Sequence, residues 1–283
     1  MLRTRLETAQ FVVESIESLG VAVNPTSRLG IMLAVLAKPR QGTARVIVPS
    51  DPDFETALES VHDMSLLEFI FDQLNGHECD DDYMSMVRKV VKDSVLPQAD
   101  RTQSRGRDAQ FELYVTAVCQ SAGLTPVRME EPDVTCTFDA TRYGIAAKRI
   151  KSVAALEKRV REASNQIVKA GLPGIMVLDT CVALNKENRR IEVPIPEAEF
   201  GELYRRAVNR FVHEHHDRLL KWTESKGVLG LVVHDLQVRM DPSGGWSSAG
   251  MTLSVSMDAE RESEFDAFQE RYLAGLPNRE VLG

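Results

Sequence analysis

Hydrophobic positions in the first hundred residues recur at helical spacing. Over residues 2–19 the apolar side chains fall three or four positions apart, and the pattern ends at Gly20. Similar stripes predict helices over 27–37, 51–75 and 83–95, and a short β-branched run predicts a strand over 45–48. The segment 1–98 is therefore predicted to be a helical module.

The hydrophobic pattern changes after a polar stretch at residues 96–107, which is the best candidate for a linker. The elements predicted next are a helix over 108–122, strands over 125–129, 134–139 and 143–150, a helix over 153–170 and a strand over 175–179. Further along, the pattern predicts a long helix over 197–226, strands over 228–240 and 251–257, and a final helix over 262–273. We therefore predict an α/β domain over residues 106–283.

The composition is that of a soluble globular protein, with 43% hydrophobic and 27% charged residues among 283. No apolar run approaches the ~20 residues of a membrane span, so we expect a cytoplasmic protein without membrane contact. The four cysteines have no metal-ligand spacing and are expected to be reduced thiols. No GxGxxG, Walker or GxSxG motif occurs, which disfavours nucleotide-binding and α/β-hydrolase chemistry.

Charge is distributed unevenly along the chain. The formal net charge of −8 by itself argues against a nucleic-acid partner. Residues 101–170 are nevertheless basic, with twelve Lys and Arg against eight Asp and Glu, whereas both flanking segments are acidic. A positive segment between acidic flanks can meet a phosphate backbone locally, or it can be an ordinary fluctuation of charge along a sequence.

The basic segment contains four polar residues of chemical interest. Glu112 lies on the predicted helix 108–122, and Asp133 begins a predicted strand. Lys148 lies on the third predicted strand, and Gln166 lies on the helix after it. Carboxylates can hold a divalent metal that neutralises charge during phosphodiester cleavage, and an ammonium can orient water or stabilise the transition state. Each residue alone has a commoner structural explanation, such as a turn or a solvated charge, but the four in this order favour a site.

The span 108–180 resembles the PD-(D/E)XK nuclease superfamily, which has the restriction-endonuclease-like fold. Pro132-Asp133 resembles the PD half of the motif, and Lys148 occupies the lysine position of the second half. The resemblance implies an αβββαβ core with a mixed sheet, preceded here by the helical module. It also implies a metal-dependent nuclease that hydrolyses phosphodiester bonds, with DNA as the expected partner, in restriction, repair or defence against mobile DNA.

The resemblance assigns roles to the site residues. Glu112 and Gln166 fall where branches of the superfamily carry a helix acid and a helix glutamine, respectively. Asp133 and Glu112 would hold Mg²⁺ or Mn²⁺. Lys148 would stabilise the attacking water or the phosphorane, and Gln166 would position a water or a phosphate. The nearest candidates for contacts with a DNA backbone are Arg107, Arg142, Arg149 and Lys151.

Ala146 departs from the superfamily pattern because it occupies the position of the second acidic residue. In one interpretation, Glu112 supplies the lost carboxylate, with the backbone carbonyl of Ala147 as a further ligand, and metal binding survives. In the other, the site is degenerate and the fold only binds nucleic acid or protein. We favour the first interpretation. A homodimer would suit the cutting of two strands, and the helical module offers a surface for a protein partner.

Overall fold

The computed structural model describes residues 3–38, 52–77, 79–96, 104–185, 191–192, 197–240 and 246–277. Its helices are Arg5–Ser18 (α1), Arg28–Ala37 (α2), Phe54–Gln73 (α3), Asp81–Val90 (α4), Arg105–Ser121 (α5), Leu156–Ala170 (α6), Cys181–Leu184 (α7), Glu197–Thr223 (α8) and Glu262–Ala274 (α9). Its strands are Val134–Phe138 (β1), Thr141–Arg149 (β2), Gly174–Asp179 (β3), Ile191–Glu192 (β4), Val228–Met240 (β5) and Trp246–Ser256 (β6). Within these ranges, no helix has the length and apolar character needed to cross a membrane.

The chain is α/β, with helices that precede a mixed sheet. Most of its helices and strands lie within a few residues of the predicted positions. Helix α4 ends at Val90 rather than at residue 95, and α5 begins at Arg105, inside the stretch that was predicted to be a linker. The short helix α7 has no predicted counterpart. The strand predicted over 45–48 lies outside the described residues.

The prediction of a strand over 125–129 is wrong. Only Arg128 pairs there, in an isolated bridge with Thr135 that is closed by two backbone hydrogen bonds of 2.9 and 2.8 Å. Pro126 has no N–H to donate to a ladder, which limits the pairing of this segment. The elements around the first half of the sheet therefore follow the order α5, β1, β2, α6, β3.

The sheet combines antiparallel and parallel pairs. β1 and β2 form an antiparallel hairpin whose turn residues, Asp139 and Ala140, have φ values of 46° and 63°. Positive φ at both central residues is the requirement of a tight two-residue hairpin turn. β2, β3 and β5 lie side by side and parallel. β6 pairs antiparallel with the other edge of β5, and β4 pairs in parallel with the last two residues of β5.

Successive side chains of β2 enter two different cores, as expected for a strand covered on both faces. Ile145 and Ala147 belong to the core that the sheet forms with α5, α9 and the amino-terminal helices. Ala146 and Ile150 belong to the core formed with α6 and α8. Lys148 shares the parity of Ala146, so its side chain leaves the strand on the α6 side.

The amino-terminal helices join α5 through a buried ion network. Asp63 on α3 accepts from Arg28 Nη2 at 2.6 Å through Oδ2 and from Arg107 Nη1 at 3.1 Å through Oδ1. Burial alone would raise the pKa of Asp63, but the two guanidinium groups hold it below its usual value. Arg107 is 5% exposed. Arg107, which was predicted to contact a DNA backbone, therefore directs its charge into the protein.

Candidate functional site

Asp133 lies at the centre of the candidate site, one residue before β1. The hairpin register pairs Val134 with Ile145, which brings Asp133 beside the end of β2. Asp133 Oδ2 accepts hydrogen bonds from the Ala147 N–H at 2.9 Å and from Lys148 Nζ at 2.5 Å. The side chains of Asp133 and Lys148 are only 10% and 14% exposed, so little water screens this ion pair.

A close contact between the chain before Asp133 and β2 fixes this arrangement. A Cβ atom added at Gly144 would lie 2.9 Å from Pro132 Cδ, which is closer than such atoms approach. Glycine at position 144 therefore lets Pro132 pack directly on β2. The Asp133 carboxylate is held beside Lys148 as a result.

Gln166 reaches the same carboxylate from α6. Its Nε2 donates to the Pro132 carbonyl at 2.8 Å and to Asp133 Oδ1 at 3.1 Å. Its Oε1 is buried and has no hydrogen-bond partner in the described part of the chain. An unpaired buried acceptor costs stability, so this oxygen is ready to accept a hydrogen bond from a bound molecule.

Glu112 approaches this group from α5. Burial and, to a smaller degree, the negative charge of Asp133 raise the pKa of Glu112 to about 7, while Lys148 and Lys89 act in the opposite direction. Burial also raises the pKa of Asp133, although Lys148 and Gln166 favour its charged form. Both carboxyl groups therefore lie near the ammonium group of Lys148. We call Glu112, Asp133, Lys148 and Gln166 the Asp133 cluster; the structure brings together all four residues that the sequence singled out.

A cavity of about 470 Å³ opens beside the cluster. Its lining residues are Asp108, Glu112, Ala147, Lys148, Arg149, Arg159, Glu162, Asn165 and Gln166. It lies near the carboxyl end of β2, which is parallel to β3, and such ends are frequent ligand sites in α/β sheets. Sequence analysis did not single out Asp108, Arg159, Glu162 or Asn165. Helical spacing was the available signal, since Asp108 precedes Glu112 by four residues and Glu162 precedes Gln166 by four.

The remaining predicted DNA contacts differ in accessibility. Arg149 lines the cavity, but its side chain is 8% exposed and its Nε bonds Asp179 at 2.7 Å. Lys151 is 12% exposed and bonds Asp108 at 3.1 Å. Arg142 is 51% exposed, but it lies seven residues from Arg149 at the other end of β2, roughly 23 Å away at strand spacing. Arg149 and Lys151 therefore lie close to the cavity, whereas Arg142 lies far from it and its contact with a DNA backbone stays a prediction.

The cluster offers two carboxylates to a hard divalent cation, which is a small number of protein ligands. Ala146 is fully buried in the core under α6, so position 146 offers no ligand. In the described residues, no group of three or more His, Cys, Asp or Glu is arranged to hold a metal ion. Mg²⁺ can nevertheless be held by one or two carboxylates and several waters. Burial raises the pKa values of Glu112 and Asp133 because it disfavours their charged forms. A bound divalent cation would favour the charged forms.

The fold and the cluster together define an α/β protein with a buried carboxylate–lysine–glutamine group beside a cavity at the edge of a mixed sheet. Comparison of the chain with protein-family models, with curated proteins and with solved structures gave no match. The functional proposal therefore depends on the geometry of the Asp133 cluster.

Proposed function

We propose that this protein is a metal-dependent nuclease that hydrolyses phosphodiester bonds in DNA at the Asp133 cluster, on a restriction-endonuclease-like core. The observation that carries the proposal is the convergence of Glu112, Lys148 and Gln166, from three different elements, around the Asp133 carboxylate. The ordinary structural explanations treat these residues as separate surface or turn positions. Separate positions give no reason for one partly buried cluster of which Glu112, Lys148 and Gln166 line the same cavity.

The metal would be held by Asp133 and Glu112. When bound there, Mg²⁺ or Mn²⁺ would neutralise charge on the phosphodiester oxygens and make a water more acidic. Glu112 must lose its proton to act as a ligand, and its pKa is raised to about 7 by burial and by Asp133. We therefore expect loading of the site to increase as the pH rises through about 7.

The other two residues act by position and charge. Lys148 Nζ lies on the cavity wall, where its positive charge would stabilise the extra negative charge of the phosphorane. Asp133 holds this ammonium in place through its 2.5 Å contact. Gln166 anchors Asp133 Oδ1 with its amide N–H, and its unpaired Oε1 is available to accept a hydrogen bond from the attacking water.

A catalytically inactive nucleic-acid-binding or protein-interaction module is the second candidate function. Two observations favour it. Ala146 fills the place of a ligand with a fully buried methyl group. Both oxygens of Asp133 also accept hydrogen bonds from the protein, so a metal would have to displace a donor. In that case the Lys148–Asp133 pair would be a structural ion pair.

The test is to incubate the protein with labelled single- and double-stranded DNA in Mg²⁺, Mn²⁺ or EDTA. We expect cleavage that requires the metal and falls by about a hundredfold or more in Asp133→Asn and Lys148→Met, because each removes charge that stabilises the transition state. Lys169→Met is the matched control, since Lys169 is 73% exposed at the end of α6 and pairs with Glu131. Its activity should equal that of the wild type.

The outcomes separate the two candidates. Metal-dependent cleavage that is equally strong in Lys148→Met and Lys169→Met would rule out this cluster as the active site. DNA binding by folded wild-type protein, without cleavage of any substrate, would favour the inactive binding module. Binding to a protein partner without any affinity for nucleic acid would favour the interaction module.

A further inference from the structure

Three cations at the junction of α4 and α5 have no carboxylate partner among the described residues. Lys89 Nζ donates only to Met86 Sδ, at 3.7 Å. Lys92 and Arg105 are exposed and form no side-chain hydrogen bond or ion pair in the part of the chain that the structure describes. Other cations near the cavity are neutralised, as Lys148 is by Asp133. We call Lys89, Lys92 and Arg105 the α4–α5 basic patch.

Backbone packing fixes the patch beside the cavity. A Cβ atom added at Gly106 would lie 2.5 Å from the Lys89 carbonyl oxygen and 2.8 Å from that of Lys92, so the end of α4 rests directly on the first turn of α5. Asp93 Oδ2 reinforces this contact by accepting from the N–H groups of Gly106 and Arg107 at 2.6 and 2.9 Å. The two helices therefore meet in one fixed arrangement.

The face of α5 continues from the patch into the cavity. Arg105, Asp108 and Glu112 are spaced three and four residues apart, so they lie along one side of the helix. Asp108 and Glu112 line the cavity, and Arg105 lies one turn before them. The carbonyl oxygens of Lys89 and Lys92 lie against Gly106, in the first turn of the same helix. The patch therefore lies at one end of the cavity.

Helix stability does not explain the whole patch. A lysine in the last turn of a helix interacts favourably with the helix dipole, which accounts for Lys89 at the end of α4. Arg105 is the first residue of α5, where the same dipole disfavours a cation. Lys89 and Lys92 also belong to an acidic part of the sequence, since residues 1–100 contain nine Lys and Arg against sixteen Asp and Glu. Cations without a carboxylate partner are available to pair with the phosphates of a polyanion.

We propose that the α4–α5 basic patch binds backbone phosphates of the nucleic acid whose scissile bond enters the cavity. This inference rests on the proposed function and extends it, because it assigns part of substrate binding to the helical module. It adds exposed cations near the cavity to a predicted set in which Arg107 is only 5% exposed. The contacts would be to phosphate and would position the strand without reading its sequence.

The test measures binding of full-length protein to a fluorescent DNA duplex in EDTA, by anisotropy, between about 50 and 200 mM salt. The variant is Lys89→Ala/Lys92→Ala/Arg105→Ala. A control of equal charge is Arg128→Ala/Lys169→Ala/Arg271→Ala, since these exposed cations do not line the cavity. Circular dichroism and thermal unfolding check that both variants fold. A Lys89→Arg/Lys92→Arg/Arg105→Lys variant retains the charge.

We expect the patch variant to bind about tenfold or more weakly. The slope of its log affinity against log salt should be shallower by about 0.9 for each phosphate that the variant no longer neutralises. The control and the charge-retaining variant should bind like the wild type. If the patch variant and the control lost DNA affinity equally, the inference would be overturned. It would also be overturned if the patch bound poly-glutamate and did not bind DNA.

The same samples distinguish failure of this inference from failure of the proposed function. Metal-dependent cleavage by wild-type protein, with binding unaffected in the patch variant, would refute the patch alone. Patch-dependent DNA binding without any cleavage would refute the nuclease proposal alone and leave the patch established. Absence of DNA binding by folded wild-type protein would refute both.

Discussion

The raised pKa of Glu112 makes the stability of the metal-free protein depend on pH. Burial and the charge of Asp133 raise this pKa from 4.5 to about 7. Below about pH 4.5 the carboxyl is protonated in both the folded and the unfolded protein, so it has no effect. Between about pH 4.5 and 7 the unfolded chain loses this proton before the folded protein does, and the free energy of unfolding falls as the pH rises. Above about pH 7 the full penalty is present.

The size of the penalty follows from the shift. A rise of roughly 2.5 pKa units corresponds to about 3 kcal/mol at 1.36 kcal/mol per unit. Glu112 is half-buried, and solvent screening reduces the effect to about 2 kcal/mol. The substitution Glu112→Gln removes the charge and keeps the shape. We therefore expect it to stabilise the metal-free protein by about 2 kcal/mol more at about pH 8.5 than at about pH 5.

The assay is urea unfolding of wild type and Glu112→Gln in EDTA at those two pH values, with the same experiment repeated in Mg²⁺. Glu260→Gln is the control, because Glu260 is exposed and lies outside the Asp133 cluster. Mg²⁺ should stabilise the wild type at high pH and have little effect on Glu112→Gln, since a ligand stabilises only the state that binds it. A difference between wild type and Glu112→Gln that stays constant with pH would refute the reasoning.

Three further predictions concern stability. Asp63→Ala should lower the free energy of unfolding by about 3–5 kcal/mol, since it leaves two buried guanidinium groups without their shared carboxylate; a loss below about 1 kcal/mol in urea unfolding would contradict this. Gly230→Ala should lower it by about 3 kcal/mol or more, because a Cβ there would lie 2.0 Å from the Phe265 ring, and an unchanged melting temperature would show that the ring moves freely. Ala146→Asp should destabilise the protein in EDTA by burying a third carboxyl near Asp133, and Mg²⁺ should reverse part of this loss; destabilisation that is independent of Mg²⁺ in thermal unfolding would argue against a cation site.

Sequence alone predicts the elements in which a regular hydrophobic pattern extends over many residues. On α6 the buried residues Leu156, Val160, Ala163 and Ile167 follow helical spacing, and Gly171 ends the helix with a φ of 65°. The Asp133 cluster could be proposed from sequence because most of its residues are close together along the chain. Three of its members lie within 34 residues, on elements that pack directly against one another.

The parts that sequence analysis missed depend on contacts between distant residues. Arg107 lies in a polar stretch that is typical of a linker, and nothing local shows that its partner Asp63 precedes it by 44 residues. The run over 125–129 has the apolar character of a strand, but its backbone finds a single pairing position, at Arg128. The exposed and unpaired state of Arg105 likewise depends on how α4 packs against Gly106.

The hydrophobic core that α1 to α4 share with α5 and β1 limits how this protein can be shortened. A fragment that begins at residue 104 would keep every member of the Asp133 cluster, but it would expose the apolar face of α5 and leave Arg107 without its counter-ion. The part of the chain that holds the cluster is therefore not expected to fold without the amino-terminal helices. Fusion partners and purification tags should be attached outside the first helix, and a minimal fragment of the chain would need α5 to be redesigned.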